Sequence, residues 1–148
     1  DAQQVAVIKR MVRDLNFPIQ IVVCPTVREA DGLAMSSRNV YLSPDQRKAA
    51  PILHLALMAT GEVYANGERR PDRLRVAAVE RLKEEPEAVI DYVSVADAAT
   101  LQEMDTPSEQ PLLVSMVVKM GSTRLLDNLL LPVELNDRTG LTWVLGGS

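Results

Sequence analysis

At Glu84-Glu85-Pro86 the spacing of apolar residues changes, and this switch confines the chain to an architecture in which helices come first and a sheet follows. Upstream, Ser43-Pro44-Asp45-Gln46 reads as a helix start, with Ser at the N-cap, Pro at the first helical position and Gln at the third. That helix is expected to run to about Tyr64, to bend or break at Pro51, and to stop at Gly61 or Asn66-Gly67. Pro71-Asp72 opens the next helix, which carries Leu74, Ala77, Ala78 and Leu82 on one face. Downstream, Val89–Val95 and Leu112–Val118 are strand-like, and a Gly121-Ser122 turn leads into a third run, Thr123–Asn128. The expected class is α+β, with two or three helices packed on a small, mainly antiparallel sheet.

The first 25 residues follow a different pattern. Val5, Ile8, Met11, Val12 and Leu15 recur at helical spacing, and the helix is expected to end near Asn16, before Phe17-Pro18. Ile19-Gln20-Ile21-Val22-Val23-Cys24 then reads as a buried strand closed by Pro25, of the kind found in a parallel sheet covered on both faces. One strand cannot form that sheet, and the chain starts without Met and already within a helix, so a piece of a longer protein is expected. Glu29-Ala30-Asp31-Gly32 is a polar, turn-forming link between the two bodies. The expected division is 1–25, 26–134 and a tail, 135–148, in which Leu141, Trp143, Val144 and Leu145 suit packing while the final Gly-Gly-Ser suits a linker.

Composition narrows function mainly by exclusion. The net charge is −4, the chain has one Trp, three Tyr and one Phe, and it has no basic stripe, which argues against nucleic acid. The apolar runs are shorter than a membrane span and no basic leader precedes them, so a cytoplasmic protein is expected. The single cysteine, Cys24, reads as a small core residue rather than a nucleophile, and it has no partner for an internal disulfide. His54, the one histidine, sits between two leucines and reads as structural; no Cys/His metal cluster can be proposed.

The chemistry-bearing stretch is Gly32-Leu33-Ala34-Met35-Ser36-Ser37-Arg38-Asn39. A glycine, two hydroxyls and a guanidinium in one loop can offer backbone N–H groups and charge-assisted donors to phosphate oxygens, although the same residues also make an ordinary polar turn. Arg124 and Asp127, three apart in a presumed strand, face opposite sides and read as two separate polar anchors. Gln4, near a helix start, has an amide suited to a substrate hydroxyl or carboxylate, with solvent exposure the commoner fate of such a residue.

Three separated pieces, Asp1-Ala2-Gln3-Gln4, Pro25–Asn39 and Thr123–Asn128, together resemble the pantothenate synthetase family, the pantoate–β-alanine ligases of coenzyme A biosynthesis. The resemblance covers residues 1 to about 131. It implies that residues 1–25 are the last helix and strand of a Rossmann-like nucleotidyltransferase domain, and that 26–134 form a C-terminal lid. It further implies ATP as a substrate accompanied by Mg2+, no tightly bound cofactor and no protein-held metal, pantoate and β-alanine as the other substrates, a pantoyl-adenylate intermediate, and a homodimer. By the same resemblance Met35, Ser36, Ser37 and Arg38 hold ATP phosphates, with Ser36, Ser37 and Arg38 catalytic. Val27 meets adenine through its backbone, Asp1 lies near the ribose, and Gln4 binds pantoate. The family's His-x-Gly-His motif, a second pantoate glutamine and a lysine preceding Asp1 are not in this sequence, so the chain taken alone is expected to be inactive. The rival readings are a non-catalytic module of the same fold and an adenylate-forming ligase for a different carboxylate. Residues 132–148 match nothing in the family pattern.

Overall fold

A computed structural model of the chain describes residues 1–132. It contains helices α1 (Ala2–Asp14), α2 (Pro44–Ala49), α3 (Ile52–Ala65) and α4 (Pro71–Leu82), a 3-10 turn (Ser37–Tyr41), and strands β1 (Val89–Asp97), β2 (Leu112–Met120) and β3 (Thr123–Leu131). The three strands form one antiparallel sheet in the order β1-β2-β3. The expected α+β layer is therefore present.

Local chemistry accounts for the helix boundaries. Ser43 Oγ accepts from Gln46 N (3.2 Å) while Gln46 Oε1 accepts from Ser43 N (3.1 Å), so two orphan donors at the start of α2 are satisfied reciprocally. Pro51 separates α2 from α3, because its ring cannot continue the helical hydrogen-bond ladder. Asn66-Gly67 rather than Gly61 closes α3, and Gly67 takes the left-handed conformation (φ +100°) that ends helices readily.

The core forms where this helical layer meets the sheet. Alternate residues of the central strand, Leu112, Val114, Met116, Val118 and Met120, are fully buried and join a cluster with Leu53, Leu57, Leu74 and Leu82 of α3 and α4. Burying each such side chain contributes roughly 1.5–3 kcal/mol, which is why the period-2 pattern of β2 determines which face meets the helices. In register, Val95 pairs with Val114 and Val114 with Leu129, so one apolar layer crosses all three strands. Gly121 (φ +58°) turns the β2–β3 hairpin directly against α2, where a β-carbon would lie 2.6 Å from Gln46 Nε2.

Two expectations for the first 25 residues are corrected. Ile19–Cys24 is not a strand: it joins no ladder, and Ile19 and Val22 are 58% and 75% exposed. A β-branched run becomes a strand only where a neighbour takes up its N–H and C=O groups, and among the described residues none does. Cys24 is exposed, not a core residue, for the same reason. α1 forms as expected, capped by Asp1, whose carboxylate accepts from Gln4 N (3.1 Å), but none of its residues is buried. The tail 135–148 and the end of the 26–134 segment lie outside the described residues.

Candidate functional site

The segment between Val27 and Met35 folds into a tight loop whose backbone closes on itself. Glu29 N donates to Leu33 O (2.8 Å), Gly32 N to Glu29 O (2.9 Å) and Met35 N to Val27 O (2.9 Å). Gly32 adopts φ +92°, and a β-carbon there would lie 2.3 Å from Cδ2 of His54, so the residue answers both a conformational and a spatial demand.

Side chains fasten this loop to three elements. Arg28 forks onto Asp127 of β3, Nη1 to Oδ2 at 2.6 Å and Nη2 to Oδ1 at 3.0 Å, and Nη1 also donates to Gly32 O (3.1 Å). The pair is largely withdrawn from solvent, with the Arg28 side chain 16% and that of Asp127 5% exposed. Asp31 accepts from Leu33 N (3.2 Å) and from Arg47 Nη1 of α2 (2.5 Å). The Arg47 hydrogen bond holds the Asp31 carboxyl below its ordinary pKa against an opposing desolvation cost. Leu33 inserts into the core, and His54 of α3 packs its ring on Gly32. Burial, reinforced by the Arg28 charge and opposed by Asp127, lowers the His54 pKa, so the imidazole is neutral at pH 7; its Nδ1 is buried without a hydrogen-bond partner among the described residues.

With the loop held on one side, Met35-Ser36-Ser37-Arg38 is presented on the other. Ser36 N-caps the 3-10 turn, its Oγ accepting from Arg38 N (3.2 Å), and Asn39 Nδ2 donates to Ala34 O (3.1 Å). The Arg38 guanidinium makes no hydrogen bond or ion pair among the described residues. It borders a cleft of about 200 Å³ between the loop and β3, whose lining includes Met35, Ser36 and Arg38 of the loop, Arg124, Asp127 and Asn128 of β3, and Asp1 at the start of α1. Three orienting features thus converge on one cavity: a capped turn, a hydroxyl with a proton to donate, and guanidinium groups. Such an arrangement suits a phosphate.

The structure brings Asp1, Met35, Ser36 and Arg38 together at this cleft. Ser37 opens the 3-10 turn and is exposed but does not line the cleft wall; Val27 is 67% exposed and its carbonyl is taken by Met35 N. Gln4 is exposed on α1 and lines neither this cleft nor the smaller recesses beside it. Arg124, Asn128 and Asn39 also line the cleft, and the sequence assigned none of them a ligand-binding role of its own. The pattern Thr123–Asn128 was the available signal for the first two, but strand periodicity reports the face and not what lies across from it. Arg124 and Asp127 do act as separate anchors, Arg124 Nε bonding Asp91 Oδ2 (2.7 Å) on the face opposite the Asp127–Arg28 pair. Among the described residues no group of three or more His, Cys, Asp or Glu is placed to hold a metal, and no helix is long and apolar enough to cross a membrane.

A helix-covered antiparallel sheet with a donor-rich loop anchored to it places the chain among the small α+β modules. Comparison makes the assignment specific: the family model for pantoate-beta-alanine ligase matches residues 1–130, and the chain belongs to that family. The pantothenate synthetase of Herpetosiphon aurantiacus is 52% identical over 131 residues, covering 88% of this chain and 48% of the relative. That of Acetivibrio thermocellus is 53% identical over 133 residues, covering 90% and 47%. The crystal structure of pantothenate synthetase from Thermus thermophilus superimposes with a TM-score of 0.78 at 43% identity, covering 86% of this chain and 45% of that one. The Francisella tularensis pantoate-beta-alanine ligase, solved with beta-gamma ATP and beta-alanine, gives a TM-score of 0.52 at 25% identity, covering 86% and 40%. The chain spans about half the length of the curated relatives it matches.

Proposed function

We propose that the protein to which this chain belongs condenses pantoate with β-alanine in a reaction driven by ATP, and that residues 1–132 supply the phosphate-holding side of its active site. The observation that carries this reading is the Arg38 guanidinium, unpaired among the described residues and set near Ser36 on a cleft that Arg124 also lines. In the proposed reaction a pantoate carboxylate oxygen bonds to the α-phosphorus of ATP and the bond to pyrophosphate breaks, giving pantoyl adenylate. The β-alanine amine then attacks the acyl carbon, loses a proton, and AMP departs with the bonding electron pair. Negative charge accumulates on phosphate oxygens in the first step, and Ser36, Ser37 and Arg38 are the donors proposed to stabilise it.

Met35 is assigned beside the nucleotide, the Val27 backbone at adenine and Asp1 at the ribose, with Gln4 reaching pantoate. Mg2+ is read as arriving on the nucleotide, because Asp127 is committed to Arg28 and Asp1 caps α1. The remaining groups that position the triphosphate and pantoate are assigned to the part of the protein outside this chain, so residues 1–148 alone should not catalyse the ligation. Residues 1–25 are assigned to a Rossmann-like nucleotide-binding domain and 26–134 to a lid; a cytoplasmic homodimer is the proposed setting.

Arg38→Ala in the full-length protein tests the central assignment. Losing a charge-assisted hydrogen bond costs about 1.5–3 kcal/mol, so adenylate formation should slow roughly ten- to a hundred-fold while pantoate affinity holds. Pyrophosphate release that is unchanged in a single turnover would refute it.

A further inference from the structure

The cleft has a second arginine, and its geometry differs from that of every other arginine near the loop. Arg28 commits both Nη groups to Asp127 and is mostly buried, so its fork is closed to any ligand. Arg124 is bound through Nε alone, to Asp91 Oδ2 at 2.7 Å, and its side chain is 57% exposed. Its Nη1 and Nη2 make no hydrogen bond or ion pair among the described residues. A guanidinium tethered at Nε keeps a fixed plane while its two terminal nitrogens project together, which is the arrangement that grips a planar pair of oxygens.

Charge favours an anion there. Asp91 lies between Arg124 and Lys119, whose Nζ is 3.9 Å from Asp91 Oδ1, so one carboxylate serves two cations and the group retains net positive charge. An exposed pair of this kind adds little to stability, which leaves the tether without an obvious folding role. Arg124 also lines the same cleft as Arg38. Two arginines lining one small cavity repel each other, and a multiply charged anion bound there relieves that repulsion.

We propose that Arg124 is a second phosphate-binding residue, gripping the β- and γ-phosphates of the nucleotide and then the departing pyrophosphate in the cleft it shares with Arg38. Asp91 is its positioning residue. The inference rests on the ligase reading for the identity of the nucleotide, but the contact itself is with phosphate oxygens and is measurable by binding alone.

The test uses the full-length protein with Arg124→Gln and Arg124→Lys, each checked for an unchanged thermal melting curve. Calorimetry is performed separately with inorganic pyrophosphate, ATP and pantoate, and pyrophosphate release is followed in a single turnover. Arg124→Gln should weaken pyrophosphate and ATP binding about ten-fold or more and slow release similarly, with pantoate affinity unchanged and Lys restoring part of the loss. Unchanged pyrophosphate affinity in an active protein overturns the Arg124 assignment alone, as does a loss confined to pantoate. A wild-type protein that forms no pantothenate, yet binds pyrophosphate through Arg124, overturns the ligase reading and leaves this contact standing. Failure of the wild type to bind either ATP or pyrophosphate overturns both.

Discussion

Gly32 shows how one residue governs the loop that carries the chemistry. Its φ of +92° is open to glycine and strained for a side chain, and the space where a β-carbon would stand is filled by the His54 ring. Gly32→Ala must therefore incur backbone strain of about 1–3 kcal/mol and also displace the imidazole. The expected result is a lower melting temperature together with weakened phosphate binding, because the ring, the Arg28–Gly32 hydrogen bond and the Met35 backbone shift with it. A variant that melts lower but binds pyrophosphate as well as the wild type would show that the loop is not held through this contact. Arg28 makes the complementary point: Arg28→Ala would strand Asp127, which is 5% exposed, and removing one member of a buried pair costs about 3–5 kcal/mol. Chemical denaturation of Arg28→Ala measures this, and a loss below about 1 kcal/mol would place the pair among ordinary surface contacts.

Among the elements, the connection from α3 to α4 is fastened by one carboxylate, that of Glu68. The Glu68 carboxylate accepts from Arg69 N (3.0 Å), Arg70 N (2.9 Å) and the Arg70 guanidinium (3.2 Å at Nη2). The Arg70 side-chain bond, followed by these backbone donors, lowers its pKa from 4.5 to about 2. A carboxyl whose folded pKa is depressed contributes stability in full above its unfolded pKa and loses it as pH falls through the folded value. Glu68→Gln should therefore melt below the wild type near neutral pH, and the gap should close between pH 4.5 and about 2. A gap independent of pH would mean that the substitution acts through shape. The boundaries of α2 and α3 were legible in Ser43, Pro44, Gln46 and Pro51 because capping and the missing proline N–H act within a few residues. Ile19–Cys24 was misread because strand formation depends on a partner that local composition does not disclose.

For the molecule as a whole, the main consequence is the uneven coverage of its apolar surface. One face of the sheet is sealed by α3 and α4, whereas Ile8, Met11, Leu15, Phe17, Ile19 and Val22 are between 37% and 75% exposed. An exposed patch of this composition favours association, since each Val or Ile side chain fully buried contributes roughly 1.5–3 kcal/mol. Residues 1–148 on their own should self-associate, and removing residues 1–25 should return them to monomers while leaving the α3–α4–sheet core folded. Light scattering on both forms, with hydrogen exchange, checks this; a monomer in both cases would contradict it. The amino-acid sequence by itself determined the helix caps, the helix-then-strand order and the donor-rich loop with its family resemblance, because each depends on neighbours a few residues apart or on a short motif. Only the tertiary structure decided that Arg28 joins Asp127 across 99 residues of chain, that His54 fills the space beside Gly32, and that Arg124 and Arg38 line one cleft. Those pairings depend on the sheet edge, α3 and the loop arriving at one place, and neither residue type nor spacing specifies which distant side chain will be waiting there.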